Sequence, residues 1–222
     1  MTALSGLVQP GGAYLFTDGA SFDAQHHVCA IGTKVLSFER QRMAIGWSGY
    51  VNDIDELEAA IIAAGPTQAD IFAPLPTIVE QFASANVAIG TRDNVPPPPL
   101  RLLIALWCEK SGEGQLWAIH SGSEIFGSWY KPCTLVRLSQ YMALPPDLQV
   151  EAFGRLPAYA DPMSFDVLLD GLTLLEAERA LPYEDGHYAV GGFAELTSVT
   201  AAGVEQQVLR RWPDRIGFPI SL

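Results

Sequence analysis

Two short stretches decide how this chain reads: Phe16-Thr17-Asp18-Gly19 and, sixteen residues further on, Gly32-Thr33-Lys34-Val35. The first closes an apolar run over residues 6–16 that is broken at Gly11-Gly12. That pattern predicts two short strands, with Thr17-Asp18-Gly19 as the turn signal at their end. The second lies inside residues 27–38, which read as a strand pair around Gly32. Further out, Met43-Ala44-Ile45-Gly46-Trp47-Ser48-Gly49 is a short buried strand running into a glycine turn. Asn52 or Asp53 then caps a helix whose Ile54, Leu57, Ile61 and Ile62 share one face and which Gly65 stops. Pro74 and Pro76 lead into a second helix over Thr77 to Phe82.

Beyond it, residues 90–99 end in Pro96 to Pro99 and read as a rigid extended connector. The flanking pieces are too short to fold alone, so this is not a domain boundary. Leu100 to Cys108 and Gln115 to His120 predict a hairpin through Ser111-Gly112-Glu113-Gly114. Ile125 to Trp129 and Thr134 to Leu138 add short strands. Ser164 to Leu181 reads as a late helix with Leu168, Leu169, Leu172, Leu175 and Ala180 on one side. Tyr188 to Val199 and Gly203 to Leu209 make a final hairpin. Strands, helices, strands, helical segments and strands in that order predict either an α+β protein or a layered αββα sandwich, not a βαβ repeat, in one domain over residues 1–222.

Composition narrows the function classes. Of 222 residues, 49% are hydrophobic and 17% charged, enough to bury a sizeable core. Thirteen Lys and Arg face 25 Asp and Glu, a formal charge of −12, which argues against nucleic acid and anionic membrane surfaces as partners. Just three of the cations are lysines: Lys34, Lys110 and Lys131. No apolar stretch is long enough to span a bilayer, and the start lacks the basic and apolar segments of a secretory signal. Cys29, Cys108 and Cys133 are odd in number and widely spaced, which suits free thiols in the cytoplasm. His26, His27, His120 and His187 form no metal-ligand spacing, and His26-His27 reads as a surface or loop pair. Neither GxGxxG nor GxxxxGK[ST] occurs, so nucleotide chemistry is unsupported; neither a metal nor an organic cofactor is expected.

Thr2, Asp18 and Lys34, spaced by sixteen residues at each step, resemble the N-terminal-nucleophile hydrolases of the proteasome β-subunit type. Ala44-Ile45-Gly46-Trp47-Ser48-Gly49 followed by the helix cap at Asp53 resembles that family's strand and small-residue turn. Val190-Gly191-Gly192 and the last hairpin resemble its closing strands. The resemblance implies a four-layer αββα sandwich and a threonine-type peptidase or amidase acting on peptide or amide substrates. Thr2, freed by removal of Met1, would be the nucleophile and its own α-amine the general base. Lys34 would lower that amine's proton affinity by like-charge repulsion, and Asp18 would hold Lys34 in place. A backbone N–H at Gly49 would face the oxyanion. The resemblance further implies a homo-oligomer, in the form of a ring, and leaves room for a separate ATPase partner because the chain has no ATP motif of its own.

The sequence departs from the family pattern in its supporting residues. The family's Gly-Ser-Gly is replaced by Thr134-Leu135-Val136-Arg137-Leu138-Ser139, where Ser139 is the candidate substitute. Its Asp and Ser before the late Gly-Gly are replaced by His187 and Val190, with Asp185 two residues early as a second candidate support. Taken singly, each residue also has a plainer reading: Thr2 as a frayed terminus, Asp18 as a turn former, Lys34 as a solvated strand residue, Gly49 as a turn. The alternative function is therefore a catalytically decayed protein of the same fold with a structural or regulatory role. The mixed charges at Arg210-Arg211 and Asp214-Arg215 read as solvated surface, and Glu176 and Glu178 as a helix face.

Overall fold

The computed structural model describes residues 3–49, 54–93, 99–122, 131–154, 162–182 and 186–222. The apolar run before Asp18 folds as expected, into β1 (Leu4–Gln9) and β2 (Gly12–Asp18), paired antiparallel from Leu4 opposite Thr17 to Gln9 opposite Gly12. The last hairpin is β11 (Phe193–Thr200) and β12 (Gly203–Arg211), and β11 lies antiparallel to β2 with Glu195 opposite Thr17. With β10 (Gln140–Tyr141) these make a five-stranded sheet in the order β10-β1-β2-β11-β12. A second five-stranded sheet has the order β5-β6-β7-β8-β9, from β5 (Val35–Phe38), β6 (Met43–Ser48), β7 (Arg101–Cys108), β8 (Glu113–His120) and β9 (Val136–Leu138). Every pairing in both is antiparallel. Residues 27–38 do contain two strands, but they part company: β4 (Val28–Ile31) pairs with β3 (Ala20–Phe22) in a small ribbon, while β5 joins the second sheet. The ribbon thereby bridges Asp18 to Lys34 in the chain.

Alternation along the strands sends side chains to both faces of each sheet, which gives three cores. Leu4, Ala13, Leu15 and Val199 of the first sheet meet Val35, Ala44, Leu103 and Leu116 of the second. The second sheet's other face, with Met43, Ile45, Leu102 and Ile104, is covered by α1 (Ile54–Ala64), α2 (Gln68–Phe72) and α3 (Leu75–Asp93). The first sheet's other face, with Ala3, Leu7, Phe16 and Ala194, is covered by α4 (Pro146–Phe153) and α5 (Leu169–Arg179). Each fully buried leucine or isoleucine contributes roughly 1.5–3 kcal/mol of transfer free energy. Among the described residues no helix is long and apolar enough to cross a membrane.

Several sequence expectations shift in the helices. Leu57 and Ile61 of α1 face the core, but Ile62, one residue round the helix, is 59% exposed. The second helix is longer than the Thr77 to Phe82 reading and takes in residues 90–93 of the expected connector; α2 and α4 were not foreseen. The late helix starts at Leu169, and the Asp166 carboxylate ahead of it accepts the N–H groups of Leu168 and Leu169 at 2.9 and 3.0 Å. Its buried stripe is Gly171, Leu174, Leu175, Glu178 and Arg179, and Leu169 lies exposed. Gly171 sets that stripe: a methyl there would stand 2.4 Å from the Phe16 ring, so the helix lies on β2 at its glycine. The expected strand over Ile125 to Trp129 and the caps Asn52 and Asp53 lie outside the described residues.

Candidate active site

Asp18 ends β2 and is fully buried, yet four donors converge on its carboxylate. Oδ1 accepts the Lys34 ammonium at 2.8 Å and the backbone N–H of Ala3 at 3.1 Å. Oδ2 accepts the N–H groups of Gly191 at 2.9 Å and Ala20 at 3.2 Å. That fills the acceptor capacity of a carboxylate. Lys34 is 1% exposed, so the plainer reading of a solvated strand residue does not hold. Burial pushes its ammonium to lower proton affinity, and the Asp18 charge and hydrogen bond oppose that push.

The elements explain why the pair forms. Asp18 and Lys34 stand at the two ends of the β3–β4 ribbon, closed by a Gly32 N–H donating to the Gly19 carbonyl at 2.9 Å. The Lys34 carbonyl accepts the Trp47 N–H at 3.0 Å, tying it to β6. The neighbouring Thr33 hydroxyl donates to Glu195 Oε2 at 2.6 Å, which fixes the Lys34 segment to β11. Glu195 is itself buried; desolvation raises its proton affinity and the Thr33 bond opposes this.

Gly49 follows the last residue of β6 with φ of +93°, a conformation that favours glycine. A methyl there would fall 2.0 Å from the Pro99 carbonyl oxygen. The turn therefore needs glycine for both conformation and space. Thr2 lies outside the described residues, and its chain neighbour Ala3 is the residue whose N–H meets Asp18. Asp185 also lies outside them. Ser139 is not brought to this cluster. Its carbonyl accepts the Val8 N–H, five residues along β1 from Ala3, a distance of roughly 16 Å at the rise of a strand. His187 stacks on His26 with ring centroids 3.5 Å apart, and Val190 packs in the core beneath α5.

Two groups near the site were misread in the sequence. Glu178 is buried rather than on a solvated helix face, and its Oε1 accepts the Ser5 hydroxyl at 3.2 Å. Desolvation lifts its carboxyl to about 8. Asp214 is buried against Arg179 rather than on a mixed-charge surface. The available signal was position: Glu178 falls on the same helical stripe as Leu174 and Leu175. Among the described residues no group of three or more His, Cys, Asp or Glu could hold a metal ion.

No family model matches this sequence, and no curated protein does. Among solved structures, it is similar to Anbu (ancestral beta-subunit) from Yersinia bercovieri, with a TM-score of 0.60 and 10% identity over 93% of this chain and 86% of that one. A likeness at that identity speaks to the fold alone. The two antiparallel sheets that bring Asp18 and Lys34 together are thus built on a proteasome-like fold.

Proposed function

We propose that this chain is an N-terminal threonine hydrolase, a peptidase or amidase in a single αββα-sandwich domain. The observation that carries the reading is the buried Lys34–Asp18 pair, whose carboxylate also takes the N–H of Ala3, the residue next to Thr2. In this reading the buried ammonium, paired to the carboxylate that holds Ala3 N–H, acts on the amine of Thr2. An α-amine titrates near ~7.7–8.0 unaided, and a fixed positive charge lowers that value. A neutral amine then exists at neutral pH to act as base.

In this mechanism Met1 is removed and Thr2 becomes the first residue. Its Oγ forms a bond to the scissile carbonyl carbon while the α-amine takes the hydroxyl proton. The oxyanion is stabilised at the Gly49 turn. The C–N bond breaks as the ammonium returns the proton to the leaving nitrogen, leaving an ester. Water, deprotonated by the same amine, cleaves the ester and restores Thr2. Asp18 and Lys34 touch no substrate in these steps; they tune the amine. Ser139 lies too far along β1 to take part, and Asp185 remains a candidate support. The similar structure is named as a subunit, which supports self-association of this chain; its arrangement as a ring, a separate ATPase partner and a cytoplasmic setting are part of the proposal.

Intact-mass analysis tests the reading. The mature chain should lack Met1 and gain one adduct from an epoxyketone or β-lactone reagent, and Thr2→Ala should gain none. A folded protein with free Thr2 that takes no adduct would favour the decayed, non-enzymatic alternative.

A further inference from the structure

The bond from Gly191 N–H to Asp18 is held from behind by groups that touch no part of the proposed reaction. Arg179 is 4% exposed at the end of α5. Its Nη1 donates to the Val190 carbonyl and to Asp214 Oδ2, both at 2.8 Å, and its Nη2 donates to Asp214 Oδ1 at 2.8 Å and to the Ser221 carbonyl at 3.2 Å. Asp214 Oδ2 also accepts the Gly192 N–H at 2.8 Å. One guanidinium fork therefore grips the peptide on each side of Gly191: directly at Val190, and through Asp214 at Gly192. The guanidinium further rests on the Trp212 ring at 4.7 Å, and Trp212 N–H bonds the Gly192 carbonyl at 3.0 Å.

The fit at Gly191 is tight. A methyl there would stand 2.1 Å from Ile220 Cδ1 and 2.7 Å from Asp214 Oδ2. The segment that carries Asp214 and Ile220 also bonds the β3–β4 ribbon, with Val28 N–H to the Phe218 carbonyl at 3.0 Å and Gly217 N–H to the Val28 carbonyl at 2.8 Å. Residues 212–221 thus run as a strap from the Gly191 loop to the ribbon that joins Asp18 to Lys34. A buried ion pair gains little net stability over an apolar replacement, because desolvation offsets its attraction. What a bidentate Arg–carboxylate pair does supply is direction.

We propose that Arg179 and Asp214 are positioning residues for the Thr2 reaction, which hold Gly191 so that its N–H stays aimed at Asp18. The proposal rests on the reading of Thr2, Asp18 and Lys34 given above. Without the clamp the Gly191 loop turns away, Asp18 loses one of its four donors, and the Lys34 ammonium is no longer held in one place. A misplacement of about 1 Å in a supporting group is enough to cost on the order of a hundredfold in rate.

The experiment uses the full chain with Asp214→Asn and Arg179→Lys. Amide hydrogen exchange should show Gly191 opening at least about tenfold faster in either variant, while amides of β7 and β8 keep wild-type rates. Unchanged exchange at Gly191, or acceleration spread equally over β7 and β8, would overturn the positioning role. Where turnover is measurable, kcat should fall by about 10- to 100-fold with KM within about twofold. Unchanged kcat in a folded variant would overturn it as well. A wild-type chain that takes no threonine-directed adduct counts against the hydrolase reading only; the exchange experiment still decides the clamp. If neither variant folds, native-state exchange in the wild type decides. The Gly191 and Gly192 amides should open together, and a Gly192 amide exchanging about tenfold or more faster than Gly191 would contradict the clamp.

Discussion

Asp18 and Glu178 are both buried on the helix-facing side of one sheet, and they are furnished in opposite ways. Asp18 has an ammonium at 2.8 Å and three backbone N–H groups. Glu178 has the Ser5 hydroxyl at 3.2 Å, and desolvation lifts its carboxyl to about 8 against that bond; the nearby Asp18 charge adds to the lift, while the Leu144 amide and Arg101 oppose it. Burial without a cation at contact distance thus favours the neutral acid, and burial with a dedicated cation and a cage of amides makes an ion pair. Only the second kind can act on an amine nearby through charge. On the proposed reading, that charge is the use of a lysine buried at 1% exposure.

The largest effect should come from removing the cation. Lys34→Ala in folded protein should cut turnover by about 10²- to 10⁴-fold with particle size unchanged, measured by peptide hydrolysis beside size-exclusion chromatography. Wild-type turnover would break the distinction between the two carboxyls. Next, Asp18→Asn removes the carboxylate charge that faces the buried Lys34 ammonium and should cost about 3–5 kcal/mol in urea unfolding. A loss under about 1 kcal/mol would mean that the pair is solvated in solution.

Glu178→Gln sharpens the other side. The folded value, about 8, exceeds the ordinary 4.5, so the folded chain holds a proton that the unfolded chain releases between those values. Its contribution is fully present below 4.5 and is lost as pH rises through about 8. Urea midpoints of the wild type should therefore fall across that window, and the Gln variant should lack that part of the slope. Equal slopes in both would place Glu178 in water. The smallest effect belongs to Ser5→Ala, which removes the acceptor of the Ala143 N–H at 2.9 Å as well as the Glu178 donor. It should cost about 1–3 kcal/mol with turnover retained.

The contrast between the two carboxyls also marks what could be read from the sequence. Asp18 and Lys34 stood out through the family resemblance, which sets one of just three lysines sixteen residues after an Asp at the end of an apolar run; the local signals alone read as a turn former and a solvated strand residue. Gly49 was legible as a turn from local signals. The helix and loop positions that depend on distant partners were not. Glu178 and Arg179 look like an ordinary charged helix end until Ser5 and Asp214, 173 and 35 residues away, are folded against them. Ile62 and Leu169 fit an apolar face by count, yet the face is set by where Gly171 and Leu57 touch the sheets. Ser139 fitted a family position by sequence order, and the short β10 pairing puts it at the far end of β1.

The central claim is that the buried Lys34–Asp18 pair tunes the Thr2 amine. A titration of the Thr2 α-amine by ¹⁵N NMR in the mature chain tests it most directly. With the pair in place the amine should titrate below the ordinary ~7.7–8.0 range and return to it in Lys34→Ala. An amine that titrates at the ordinary value in both proteins would contradict it.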